Sequence, residues 1–140
     1  MFSHVVVGFS DFHRALKFYR GIMPLLGFEE RFVEEGRPWA GWQERSEPRP
    51  LFLIAKPFDG TAHIAGNGQM TAFMARTRET VDEVFAVAMA NGGMPEGSPG
   101  IRAQYHDDYY GAYFRDTEGN KICVVCHSAV SGPSNEGGSF

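Results

Sequence analysis

Apolar and polar positions alternate from the start of the chain. In Ser3-His4-Val5-Val6-Val7-Gly8, Val5 and Val7 fall on one side of an extended strand and His4 and Val6 on the other. The period then changes to helical spacing, with apolar residues at Phe12, Ala15, Leu16, Tyr19, Ile22 and Met23. Ser10 or Asp11 offers the N-cap, and Pro24 and Gly27 close the unit. Strands are expected over Phe28–Glu34, Pro38–Gln43 and Leu51–Ala55, the last short and apolar enough to be buried on both faces. Residues Pro57–Gly68 lack periodicity and read as a connecting loop.

The same series then repeats. Gln69–Ala75 is strand-like, Thr77 caps a helix with a Val81, Val84, Phe85, Ala88, Met89 stripe, and Asn91-Gly92-Gly93 ends it. Met94–Gly100 reads as a loop-rich strand start, followed by strands over Ile101–His106, Tyr109–Arg115 and Asn120–Cys126. The last two flank the turn Asp116-Thr117-Glu118-Gly119-Asn120, with a glycine where a positive φ is required. Shifting the opening stretch by 66 positions overlays Val5-Val6-Val7 on Thr71-Ala72-Phe73 and Phe18-Tyr19 on Val84-Phe85 without a gap. One helix per unit covers one sheet face, so two units pair around a shared concavity.

The expected fold class is therefore α+β: two βαβββ modules in tandem, forming a curved, barrel-like mixed sheet around a cavity with helices outside. One domain is expected over residues 1–127, with module one at 2–56, an inter-module loop at 57–68 and module two at 69–127. Residues 128–140, rich in Gly, Ser, Asn and Pro, are expected to form a loose tail.

Composition narrows the partners. A net charge of −4 argues against nucleic acid. No apolar run approaches the roughly 20 residues of a membrane span, and Met1 leads straight into the first strand, leaving no room for a signal peptide. Cys123 and Cys126, three apart, face opposite ways in a strand, so no disulfide joins them and a cytoplasmic location is expected. The aromatic content of 14% is high enough to line a ligand cavity as well as fill a core.

The duplicated layout, with Ser3-His4-Val5 at the start and Asp116-Thr117-Glu118-Gly119-Asn120-Lys121-Ile122 before the last strand, resembles the vicinal oxygen chelate superfamily over residues 2–127. That group includes glyoxalase I, extradiol dioxygenases, and fosfomycin- and bleomycin-resistance proteins. The resemblance implies a divalent metal held by one ligand near the start and one near the end of each module. His4 matches the first position. Met70 stands at the second, Cys123 at the third, and Phe52 or Leu53 near the fourth. A hard divalent ion prefers oxygen and imidazole donors, whereas thioether and thiolate suit zinc or copper(I). Methionine and free cysteine are more often core filler than ligands. The metal site therefore reads as degenerate, with His4 as its surviving member and no cofactor firmly implied.

By alternation His4, Val6, Met70, Ala72, Met74 and Cys123 share the cavity side. The resemblance aims Tyr113 at the ligand, which places Arg115 on that side too, and Trp39 or Trp42 closes a wall. The expected ligand cavity thus comprises His4, Met70, Tyr113, Cys123, Trp42 and Arg115. A Cys123–His4 pair across the cavity is a candidate nucleophile. His13, His63, His106 and His127 lack paired ligand spacing, and Gln104–Tyr110 reads as a polar hairpin rim. The expected function is binding of a small, partly apolar molecule, with a homodimer as the expected assembly. The alternative is a metal-dependent lyase or dioxygenase using His4 and non-standard ligands.

Overall fold

The computed structural model describes residues 1–129; from residue 130 onward the expected tail lies outside the described residues. The first half runs β1 (His4–Gly8), α1 (Phe12–Ile22), a 3-10 turn (Pro24–Leu26), β2 (Phe28–Glu34), β3 (Trp39–Glu44) and β4 (Leu51–Ala55). The second runs β5 (Thr71–Met74), α2 (Arg78–Ala90), β6 (Met94–Ile101), β7 (Tyr110–Arg115) and β8 (Lys121–Cys126). Each half forms a four-stranded mixed sheet, ordered β1-β4-β3-β2 and β5-β8-β7-β6. The first strand of each half pairs in parallel with the last, and the other pairings are antiparallel. The tandem βαβββ arrangement is thus present as two sheets, which do not close into a barrel.

Both helices begin at the expected caps. Asp11 accepts a hydrogen bond from the Arg14 N–H and Thr77 from the Thr80 N–H. The α1 stripe buries Phe12, Ala15, Leu16, Phe18, Tyr19 and Ile22, and α2 buries Val81, Val84 and Ala88. These meet the apolar faces of both sheets in one core. Tyr19 lies 5.0 Å from Phe52, Phe18 lies 6.1 Å from Phe114, and Phe52 lies 5.1 Å from Phe73 between ring centroids.

Two expectations are corrected. The strand expected at Ile101–His106 is a loop, and the paired strand is β6, Met94–Ile101. Its Pro- and Gly-rich sequence carries no alternation of its own. It extends because β7 offers it hydrogen bonds, with the register slipping at Pro95/Gly97 and Gly97/Gly100. Residues 102–109 instead fold back through Arg102 N–H→Tyr109 O and Tyr105 N–H→Arg102 O. The second correction concerns Trp42. It is 1% exposed and packs against Tyr19 and Phe52 on the helix side, so it belongs to the core and not to a cavity wall.

Candidate functional site

The pairing of β5, β8, β7 and β6 sets one lateral row across the second sheet. Ala72 lies opposite Cys123, Cys123 opposite Tyr113, and Tyr113 opposite Gly97. Strand alternation puts this row on the face away from α2, because Ile122, Val124, Ala112 and Phe114 occupy the helix side and are buried there. Tyr113 and Arg115 border open space on this side of the sheet.

That space is a cleft of about 670 Å³. Its floor and one wall come from Tyr113, Arg115 and Lys121 of β7 and β8. A second wall is the 102–109 loop with Tyr105, His106 and Tyr109, and His127 follows the end of β8. The rim is Asn67, Gly68, Gln69 and Met70, at the end of the inter-module connection. The loop that replaces the expected strand therefore delivers three aromatic side chains to the sheet face.

The side chains in this cleft are linked. The Tyr109 and Tyr113 hydroxyls hydrogen-bond at 2.8 Å, and the Tyr109 hydroxyl lies 3.6 Å from Cys123 Sγ. Tyr105 and Tyr109 are 4.8 Å apart between ring centroids. His106 Nε2 and His127 Nδ1 are 2.8 Å apart, with the rings stacked. The Asp108 N–H donates to His106 Nδ1, so the His106 proton sits on Nε2 and is donated to His127. The Arg102 guanidinium lies 5.5 Å and the Lys121 ammonium 5.8 Å from the Tyr113 ring centroid. Arg115 is held by Glu96 at 2.5 Å and by the Gly119 carbonyl.

The surroundings favour the uncharged forms of the phenols, the thiol and His127. Burial, then hydrogen bonding to Tyr113 and Cys123, pushes the Tyr109 phenol well above its ordinary range, and burial raises Tyr113 as well. Burial also pushes up the Cys123 thiol, against the hydrogen bonds of the two phenols, so it is not poised as a thiolate. Burial, with the neighbouring His106, lowers His127 and favours its uncharged form.

The sequence-derived residues divide clearly. Met70, Tyr113 and Arg115 line the cleft, and Cys123 lies beneath it in contact with Tyr109. His4 does not join them. It is exposed, hydrogen-bonds Ser3 Oγ at 2.9 Å, and has Leu51 beside it on β4, with Gln43 beyond on β3. The candidate Cys123–His4 nucleophile is therefore not formed; the hydrogen-bonding side chain found at Cys123 is a phenol. Tyr105, Tyr109, His106 and His127 were outside the expected cavity. The signal available for them was the density of aromatic and imidazole groups in Gln104–Tyr110, which a strand reading scattered over two faces.

The paired modules, each a four-stranded mixed sheet with one helix, define a two-module α+β architecture with a cleft on one sheet face. The model of the Glyoxalase/Bleomycin resistance protein/Dioxygenase superfamily matches residues 1–124, and the chain belongs to that superfamily. A glyoxalase/bleomycin resistance protein from Albidiferax ferrireducens T118 is 36% identical, with a TM-score of 0.77, over 90% of this chain and 98% of that one. A glyoxalase-related enzyme from Fulvimarina pelagi is similar in fold, with 14% identity and a TM-score of 0.71 over 100% and 97% of the two chains. So is a mutant of the fosfomycin resistance protein FosX from Listeria monocytogenes, solved with Mn(II) and 1S,2S-dihydroxypropylphosphonic acid, at 18% identity and a TM-score of 0.65 over 94% and 90%. No curated protein matches the chain.

A divalent metal of the kind bound in that FosX structure does not suit the donors present here. The positions implied by the resemblance carry His4, Met70, Cys123 and Phe52 or Leu53, which supply one imidazole, a thioether, a buried thiol and no carboxylate. Among the described residues no three His, Cys, Asp or Glu side chains come together.

Proposed function

We propose that this chain is a metal-independent, small-molecule-binding member of the superfamily, and that the cleft on the second sheet holds the ligand. The observation that carries this reading is the convergence of Tyr105, Tyr109, Tyr113, His106 and His127 around about 670 Å³ of space. A mainly packing role for these residues would leave them buried, yet Tyr105 is 61% exposed. Tyr113, Met70 and Arg115 bind or shape the ligand, and Cys123 supports Tyr109 from below.

The reading includes a single domain over residues 1–127, a homodimer and a cytoplasmic location. Val6, Met70 and Met74, on or next to the edge strands β1 and β5, are between 46% and 58% exposed, a feature a second copy would cover. Both cysteines are free, which suits a reducing compartment. No helix among the described residues is long and apolar enough to cross a membrane.

The test is a thermal-shift screen of EDTA-dialysed protein against aromatic and aliphatic small molecules. A saturable rise in melting temperature that disappears in Tyr109→Ala supports the reading. Ligand effects that appear only after a stoichiometric metal is restored would instead favour a metal-dependent enzyme.

A further inference from the structure

The charge of the cleft runs against that of the chain. The whole sequence carries 17 acidic and 13 basic residues, yet the cleft is lined by Arg115 and Lys121 and by no aspartate or glutamate. Glu96 neutralises Arg115. Lys121, which lines the cleft, forms no salt bridge among the described residues, and its ammonium lies 5.8 Å from the Tyr113 ring centroid.

The neutral polar groups have the same sense. The Tyr109 and Tyr113 hydroxyls share one hydrogen bond, so one O–H of the pair remains to meet a ligand, alongside the Tyr105 hydroxyl at the wall. The relay from the Asp108 N–H through His106 fixes the His127 proton on Nε2, a nitrogen with no partner among the described residues. An ammonium, an imidazole N–H and phenol O–H groups together form a donor set that seeks an acceptor carrying negative charge. The rest of the wall is aromatic. Tyr105 and Tyr109 present rings 4.8 Å apart between centroids, and a flat ligand body stacks on such faces at low entropic cost.

We infer that the ligand of this cleft is a small organic anion with a flat aromatic or conjugated body, its anionic group received by Lys121. This rests on the cleft being the ligand site, and it names the chemical class that the site selects. A cationic ligand would meet the Lys121 ammonium, and a neutral one would leave Lys121 without a salt-bridge partner.

Isothermal titration of the full chain at low ionic strength decides the point, using three probes that share one body: 2-naphthoate, 2-naphthamide and 2-naphthamidinium. Naphthoate is expected to bind about tenfold or more tighter than the amide, with the amidinium weakest. Raising salt is expected to weaken naphthoate binding alone. Lys121→Met is expected to bring naphthoate down to the affinity of the amide, and Lys121→Arg to retain most of the preference, each with an unchanged melting temperature. Amide or amidinium binding that equals or exceeds naphthoate binding, and is lost in Tyr109→Ala, would overturn the anion inference and leave the cleft reading standing. No binding of any of the three probes at millimolar concentration would overturn both.

Discussion

Asp116 ties the two halves together through one carboxylate. It is 2% exposed, accepts the Tyr19 hydroxyl of α1 at 2.5 Å, and accepts the backbone N–H groups of Glu118 and Asn120. The Asn120 amide bridges from Asp116 to the Gly8 carbonyl of β1. Gly119, at φ 87°, lets the chain close this turn. The Asp-x-x-Gly-Asn turn was legible in the sequence. Its role as a clasp was not, because Tyr19 lies 97 residues away. Burial and the Asp116 charge hold the Tyr19 phenol protonated, so Tyr19→Phe removes a hydrogen bond to a buried anion. That variant is expected to lose about 1.5–3 kcal/mol of unfolding free energy in urea titration. Cys123 allows a second prediction at this scale. With its thiol buried and its pKa raised, it is expected to resist iodoacetamide at pH 7 in the folded protein and to react on unfolding, read by mass spectrometry.

At the scale of elements, period and punctuation carried most of the fold. The helices had strong apolar stripes and side-chain caps, and β1, β2, β4 and β8 had β-branched or aromatic runs. What failed was β6, whose Met-Pro-Glu-Gly-Ser-Pro-Gly sequence has no local reason to be a strand. That miss displaced the 102–109 loop, and with it half of the cleft. Gly93, between α2 and β6, shows how closely the second module is packed. A Cβ there would lie 2.9 Å from the Ala88 carbonyl and 3.0 Å from that of Arg115, both backbone atoms that cannot swing aside. Gly93→Ala is expected to cost about 1–3 kcal/mol. Gly36→Ala, with nothing within 4 Å, is expected to be neutral or slightly stabilising, and urea unfolding of the two variants measures the difference. Asp11→Ala, which removes the α1 cap, is expected to cost about 1 kcal/mol in the same assay.

For the whole molecule, the duplicated architecture was legible because each module repeats the same change of period. The assembly of the site was only partly so. Tyr113 and Arg115, on β7, and Met70, just before β5, do line the cleft. His4 did not join them, since the cleft is built from the second module and the end of the connection. His127 gives the folded state a pH dependence. Because the folded state lowers the His127 pKa below its ordinary 6.5, the unfolded chain takes up its proton first as the pH falls. Its contribution to stability is complete above about pH 6.5 and is lost as pH falls through the lowered folded value. Urea midpoints are expected to fall between pH 7 and 5.5 more steeply in the native sequence than in His127→Gln.

The central claim is that the cleft binds an organic molecule without a metal. Calorimetric titration with 2-naphthoate, before and after exhaustive dialysis against EDTA, tests it most directly. The account predicts the same affinity in both preparations, within about twofold, a free-energy difference of roughly 0.4 kcal/mol. Binding that vanishes on dialysis and returns with Mn(II) would contradict it.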